Sequence, residues 1–202
     1  MTYKDFTLKT IQTNLGLNVW HEQLFARVEP IEAPPSLRDA LNNGMPIGLT
    51  SEKARSEFIV APVLLAARIV SGNKFYIYSG QSLEADAARG LTGECDFILT
   101  HSKPTPLLTA PIMTLVEAKK NDIEEGLGQC IAQMAGAQIF NQKVEGLDVP
   151  VYGCVTTGED WQFIKLAEQQ VTLDTKRYYI DNVELILGVL KVIVDSFEQV
   201  KK

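Results

Sequence analysis

The sequence is poor in the residues that most often announce a site. It has two histidines, His21 and His101, and three widely spaced cysteines, Cys95, Cys130 and Cys154, among 202 residues. Neither histidine lies in a metal-ligand or nucleophile motif, and their polar surroundings mark surface or loop positions. No two cysteines form a CxxC pair, so neither a zinc site nor a disulfide framework is expected. The three read as small core residues. No GxxxxGK[ST] occurs, which removes a P-loop motor. No apolar run approaches the ~18 residues of a membrane helix, and the opening MTYKDFTLKT lacks the basic-then-apolar order of a secretory signal. A cytoplasmic protein without membrane association is expected. Positive charge is also short: 19 Lys and Arg against 25 Asp and Glu leave a net charge of −6. That opposes non-specific nucleic-acid binding through bulk charge, while a local basic strip remains compatible with it.

What is present reads as one α/β domain with a mixed central sheet flanked by helices. Residues 1–50 form an accessory N-terminal segment, with short helices over 6–17 and 37–41 and breaks at Pro30, Pro34-Pro35 and Gly44. Residues 51–202 form the main domain. Thr50-Ser51 caps a helix from Glu52 to Val70 that Pro62 kinks or delays. Strands are expected at 75–78, 94–100 and 114–119, the last two separated by a loop containing Pro104, Pro106 and Pro111. A helix opened by an Asp122/Glu125 capping box runs to Gln142. A hairpin over 151–157 and 161–166 follows, Val171 and Tyr178-Tyr179 extend the sheet, and a helix to Val200 closes the chain. Trp20 and Trp161 are expected to fill core or hairpin positions.

The chemistry gathers in Leu115-Val116-Glu117-Ala118-Lys119-Lys120. Residues two apart on a strand share a face, so Glu117 and Lys119 point the same way, with the Ala118 carbonyl between them. Hard cations such as Mg²⁺ take oxygen ligands of this kind. Taken alone, an ExK triplet is most often an exposed ion pair. Asp96 interrupts an otherwise apolar strand, and a buried lone carboxylate is unfavourable unless paired or bound to metal. If the strands of Asp96 and Glu117 are neighbours, the two acids can hold one ion. Glu57 lies near the buried face of its helix, either positioning metal or Lys119, or paired with Lys53 at the surface. Gln129 and Gln133 share a helix face, suited to a phosphate, a base edge or a water, or else simply solvated.

The order of Glu57 on a leading helix, Asp96 on the second core strand, Glu117-Ala118-Lys119 on the third and Gln129 on the next helix resembles the PD-(D/E)XK, or restriction-endonuclease-like, nuclease superfamily. It is most similar to the branch containing the N-terminal nuclease domains of type I restriction subunits, where a QxxxY-like motif follows ExK. Gln129 matches that Gln, but Gln133 stands where Tyr would be. The stretch Tyr152 to Phe163 resembles the hairpin that follows in this branch, so the resemblance spans roughly residues 50–200. It implies a restriction-endonuclease-like sheet and a Mg²⁺-dependent (or Mn²⁺-dependent) deoxyribonuclease. Asp96, Glu117 and the Ala118 carbonyl would bind metal, and Glu57, Lys119 and Gln129 would join them in catalysis. Lys53, Arg55, Arg68, Lys120 and Gln133 are candidate contacts to DNA. A homodimer that cuts two strands, or a partner chain of a DNA-processing complex, is also implied. The alternative is a catalytically silent module of the same fold that binds DNA or protein.

Overall fold

In a computed structural model the described residues are 1–103 and 105–198. Pro104, and the expected end of the last helix at Val200, lie outside them. The elements are α1 (Leu8–Leu15), β1 (Asn18–Glu22), α2 (Pro35–Gly44), α3 (Glu52–Arg55), α4 (Ala61–Val70), β2 (Tyr76–Ser82), β3 (Glu94–Thr100), β4 (Ile112–Ala118), α5 (Glu124–Glu145), β5 (Val151–Thr156), β6 (Asp160–Ala167), β7 (Gln170–Tyr179) and α6 (Val183–Glu198). The seven strands form one sheet in the order β1-β7-β6-β5-β4-β3-β2. β4–β5 and β1–β7 are parallel and the other pairs antiparallel. The α/β class with a mixed sheet flanked by helices is as expected. No helix among the described residues is long and apolar enough to cross a membrane.

Side-chain alternation along the strands feeds two cores. One face packs under α2, α4 and α6 through Leu37, Val63, Leu64, Ile186 and Leu190, with Trp161 and Phe163 from the sheet. The other packs under α1 and α5 through Ile11, Leu15, Cys130, Ile131 and Met134, with Ile98, Leu115 and Val155 from the sheet. β4, buried along its whole length, runs through the middle. All three cysteines are free and buried, and burial pushes each thiol above its ordinary range, which makes them unreactive. Trp161 is core, but Trp20 departs from expectation: it is 59% exposed on edge strand β1.

The first 50 residues are not set apart from the rest. They supply the edge strand β1, paired in register with β7 from Asn18↔Gln170 to Glu22↔Asp174, and bury Tyr3, Phe6 and Ile11 against α5. The close fit rests on Gly128, where a Cβ would lie 2.3 Å from the Phe6 carbonyl oxygen and 2.5 Å from the Thr7 Cα. Gly128→Ala is therefore expected to lower stability by about 1–3 kcal/mol, since backbone cannot yield as a flexible side chain can. In a thermal melt that is roughly 2–4 °C per kcal/mol for a chain of this size, and an unchanged melting temperature would contradict this packing.

Pro62 acts on the leading helix as its chemistry requires. It has no N–H to continue an α-helical ladder. The chain instead takes a π turn over Ser56–Val60 before α4 begins, with the Ala61 N–H donating to the Ser56 carbonyl. Such single wide turns favour functional sites, and this one carries Glu57.

Candidate active site

Strands β3 and β4 are antiparallel neighbours, with Phe97 opposite Val116. One step beyond that pair, the Asp96 Oδ2 accepts the Ala118 N–H at 2.8 Å. On the other side of β4, the Lys119 N–H donates to the Thr156 carbonyl of β5 at 2.8 Å. The end of β4 is thus pinned between a carboxylate and a parallel strand, and Asp96, Glu117 and Lys119 meet there.

Helix α5 completes the cluster from above. The Lys119 ammonium donates to Glu117 Oε1 at 2.9 Å and to Gln129 Oε1 at 3.0 Å. One turn further on, Gln133 Nε2 donates to Glu117 Oε2 at 2.8 Å. Two glutamines four residues apart therefore hold the two members of one ion pair, the use their shared helix face allows. The Gln133 Oε1 is buried without a hydrogen-bond partner. Gly126, in the first turn of α5, leaves room for Lys119: a Cβ there would lie 2.6 Å from Val155 Cγ1 and 3.0 Å from Lys119 Cγ.

Burial raises Glu117 to about 7, and the neighbouring charge of Asp96 adds to the rise against the pull of Lys119 and Gln133. Burial also lifts Asp96, opposed by the Ala118 N–H and by Lys119, with Glu52 pushing it further up. For Lys119, burial acts downward, but the charge and hydrogen bond of Glu117, with Glu52 and Asp96 behind them, more than offset it, so the ammonium is strengthened. Two carboxylates that resist ionising side by side, with one ammonium between protein and solvent, form a site that a further cation would stabilise.

Among the described residues no group of three or more His, Cys, Asp and Glu side chains is placed to hold a metal. The donor set still fits Mg²⁺, which keeps several waters and is commonly held by one or two carboxylates. An ionised carboxylate offers about four lone-pair sites. The hydrogen bonds to Glu117 and Asp96 leave acceptor capacity on both, and Ala118 sits between them at the strand end.

The other sequence-derived candidates fare differently. Glu57 is 54% exposed, 3.8 Å from Lys53, on the rim of an open 490 Å³ cleft that it shares with Glu52, Glu94 and Asp96. The acid of the leading helix whose charge reaches both Asp96 and Lys119 is Glu52, which sequence reasoning missed. Its signal was its place directly after the Ser51 cap, at a helix start facing the cleft. Gln133, expected among the contacts to DNA, is wholly buried, with its side-chain amide on Glu117. Arg55 is also committed elsewhere: it donates to the Thr157 carbonyl at 2.8 Å and pairs with Glu159 at 3.1 Å. Arg68 donates to the Phe75 carbonyl and lies over the Tyr76 ring. Lys53 and Lys120 remain exposed. His21 is exposed and His101 lies in a bend, as expected for surface or loop positions. The Asp122/Glu125 capping box does not form; Asp122 accepts instead from the Glu124 N–H at 2.9 Å, ahead of the helix.

The elevated proton affinity of Glu117 has a consequence for stability. A carboxylate with a pKa near 7 in the fold and about 4.3 when unfolded binds more protons folded than unfolded between those values. Its contribution is present at low pH and is lost as pH rises through about 7. The metal-free Glu117→Gln variant is therefore expected to melt above the wild type at pH 8, the two converging toward pH 4. A constant gap across that range, followed by calorimetry, would contradict the assignment.

A scan against protein-family models gives no match, and no curated protein matches the chain.

Proposed function

We propose that the chain is a Mg²⁺-dependent nuclease of the PD-(D/E)XK type that hydrolyses phosphodiester bonds in DNA, acting in the cytoplasm. The observation that carries the reading is the meeting of Asp96, Glu117 and Lys119 at the ends of two adjacent strands, with Glu117 pushed to about 7 by burial and by Asp96. Asp96, Glu117 and the Ala118 carbonyl are the residues that would hold the ion. When bound, Mg²⁺ (or Mn²⁺) supplies Lewis acidity toward a phosphoryl oxygen and an activated water.

The chain's own residues do the rest. Lys119 orients the attacking water and offsets the negative charge that develops on the phosphate. Gln129 fixes the direction of that ammonium, and Gln133 fixes the Glu117 carboxylate, in the manner of residues that orient ligands from behind. Glu52, reaching Asp96 and Lys119 through its charge, takes the part first expected of Glu57. Lys53 and Lys120, exposed beside the cleft and the strand end, are suited to phosphate contacts that position DNA without reading its sequence. A homodimer would bring two such centres to the two strands of a duplex.

One observation favours a second reading, a non-cutting module of a larger DNA-processing complex: both oxygens of Glu117 already carry hydrogen bonds from the protein. Cleavage of plasmid and oligonucleotide DNA with Mg²⁺ or Mn²⁺ separates the two. The nuclease reading expects cutting by the wild type and loss in Asp96→Ala. Equal cutting by both would reject the site. Intact binding of DNA with no cutting at any metal concentration would favour the module.

A further inference from the structure

A second polar cleft opens on the α5 face of the sheet, three strands from Glu117. It has a volume of 260 Å³, and His21, Glu124, Leu127, Gln162, Leu173 and Arg177 line it. Its position follows from register: Glu117 pairs with Val155, Val155 with Gln162, and Gln162 with Arg177. Residues paired across a sheet share a face, so Arg177 lies on the same face and row as Glu117, about 14 Å away at ~4.8 Å per strand. That distance equals the axial rise of about four base pairs of B-form DNA at ~3.4 Å each, so a duplex laid along this row could contact both places.

Arg177 is aimed by a built feature. The β6–β7 register shifts between Gln162 and Ile164, and bulges of this kind re-aim side chains. The shift is held by buried Asp174, whose carboxylate accepts the Leu24 and Lys176 N–H groups and the Tyr178 hydroxyl. Gln162, itself buried, donates through its side-chain amide to the Asp174 carbonyl and accepts the Arg177 Nε–H at 3.2 Å. With Nε fixed, the guanidinium projects into the cleft, 38% exposed, and meets Glu124 Oε1 at 2.6 Å.

We propose that Arg177 is a phosphate contact for DNA lying along the α5 face, and that Glu124 occupies the guanidinium until a phosphate displaces it. This rests on the nuclease reading above. A guanidinium with one edge fixed and a fork toward solvent suits phosphate. Its resting partner is an exposed carboxylate, and a pair of that kind is worth little in stability, so exchange for a phosphate is inexpensive.

The test is binding of the full chain to a 20-base-pair duplex, followed by fluorescence anisotropy across a salt series without divalent ions, alongside cleavage with Mg²⁺. Arg177→Gln is expected to weaken binding several-fold and to reduce the salt slope by about 1, whereas Arg177→Lys retains the slope. Glu124→Gln is expected to tighten binding, and to lose that gain when combined with Arg177→Gln. Glu125→Gln, which removes a neighbouring exposed acid of the same helix turn, controls for net charge. Thermal melts check that each variant is folded. Wild-type cutting together with unchanged binding by Arg177→Gln, or equal gains from Glu124→Gln and Glu125→Gln, would overturn this proposal alone. A wild type that neither binds nor cuts DNA would overturn the nuclease reading and this with it.

Discussion

On the proposed nuclease reading, replacing Lys119 with methionine is expected to lower DNA cleavage by about 10²–10³-fold, the usual loss when a group stabilising developing charge is removed. The protein should stay folded. Deleting one partner of a buried ion pair commonly destabilises by about 3–5 kcal/mol, because the other charge is stranded. Here Glu117 has another way out. It already holds its proton to about 7, and without the ammonium at 2.9 Å it will hold it to higher pH. The carboxyl carbon of Glu117, followed by NMR, should titrate above its wild-type value in Lys119→Met. An unshifted titration would mean that Lys119 does not govern Glu117. Lys119→Arg is not expected to restore activity, because the stem runs past Gly126 in space that a Cβ would fill, and a planar guanidinium fork does not replace a compact ammonium head.

The second large effect is expected from a residue with no side chain. Gly126→Ala would set a methyl 2.6 Å from Val155 Cγ1 and within 3.0–3.1 Å of the Lys119 methylenes. Helix propensity gains about 1 kcal/mol from the change. Overpacking against a branched core side chain costs about 1–3 kcal/mol, so net stability falls by about 0–2 kcal/mol. The relief falls on the movable partner, Lys119. A shift of ~1 Å in a catalytic group costs on the order of 10²-fold in rate, so activity should fall far more than stability. A variant that cuts like the wild type would show that the position of Lys119 is not critical. One that fails to fold would show that the helix cannot yield.

The parts of this site that could be read from sequence are those governed by strand periodicity. Asp96 stood out as an acid in an apolar strand, and Glu117 and Lys119 shared a face two residues apart. Their meeting then required only that two strands joined by a proline-rich loop be neighbours, and the β3–β4 pairing supplies this. Helix α5 was harder. It is buried on almost every side from Gly126 to Ala137, between the sheet and the N-terminal segment, so it has no polar face to mark which glutamine turns inward. The spacing of Gln129 and Gln133 therefore fits a contact to DNA as well as it fits the bond to Glu117 that Gln133 makes. β1 escaped notice because Asn18-Val19-Trp20-His21-Glu22 is an exposed edge with no apolar alternation. With β1 unseen, the first 50 residues had no visible tie to the sheet. A regular helix from residue 52 to 70 places Glu57 near the buried face, one turn before Val60 and Ala61, and gives Glu52 no such mark. In the structure Glu57 lies within the π turn at Ser56–Val60, on the rim of the cleft.

Calorimetric titration of the metal-free protein with Mn²⁺ and Mg²⁺ at pH 8 reaches the core of the account without requiring a substrate. The wild type should bind, with affinity falling toward pH 6 as protons compete for Glu117, and Asp96→Asn combined with Glu117→Gln should abolish the heat of binding while remaining folded. Equal binding by the wild type and the double variant, or none by either, would contradict the assignment of Asp96 and Glu117 as the cation site.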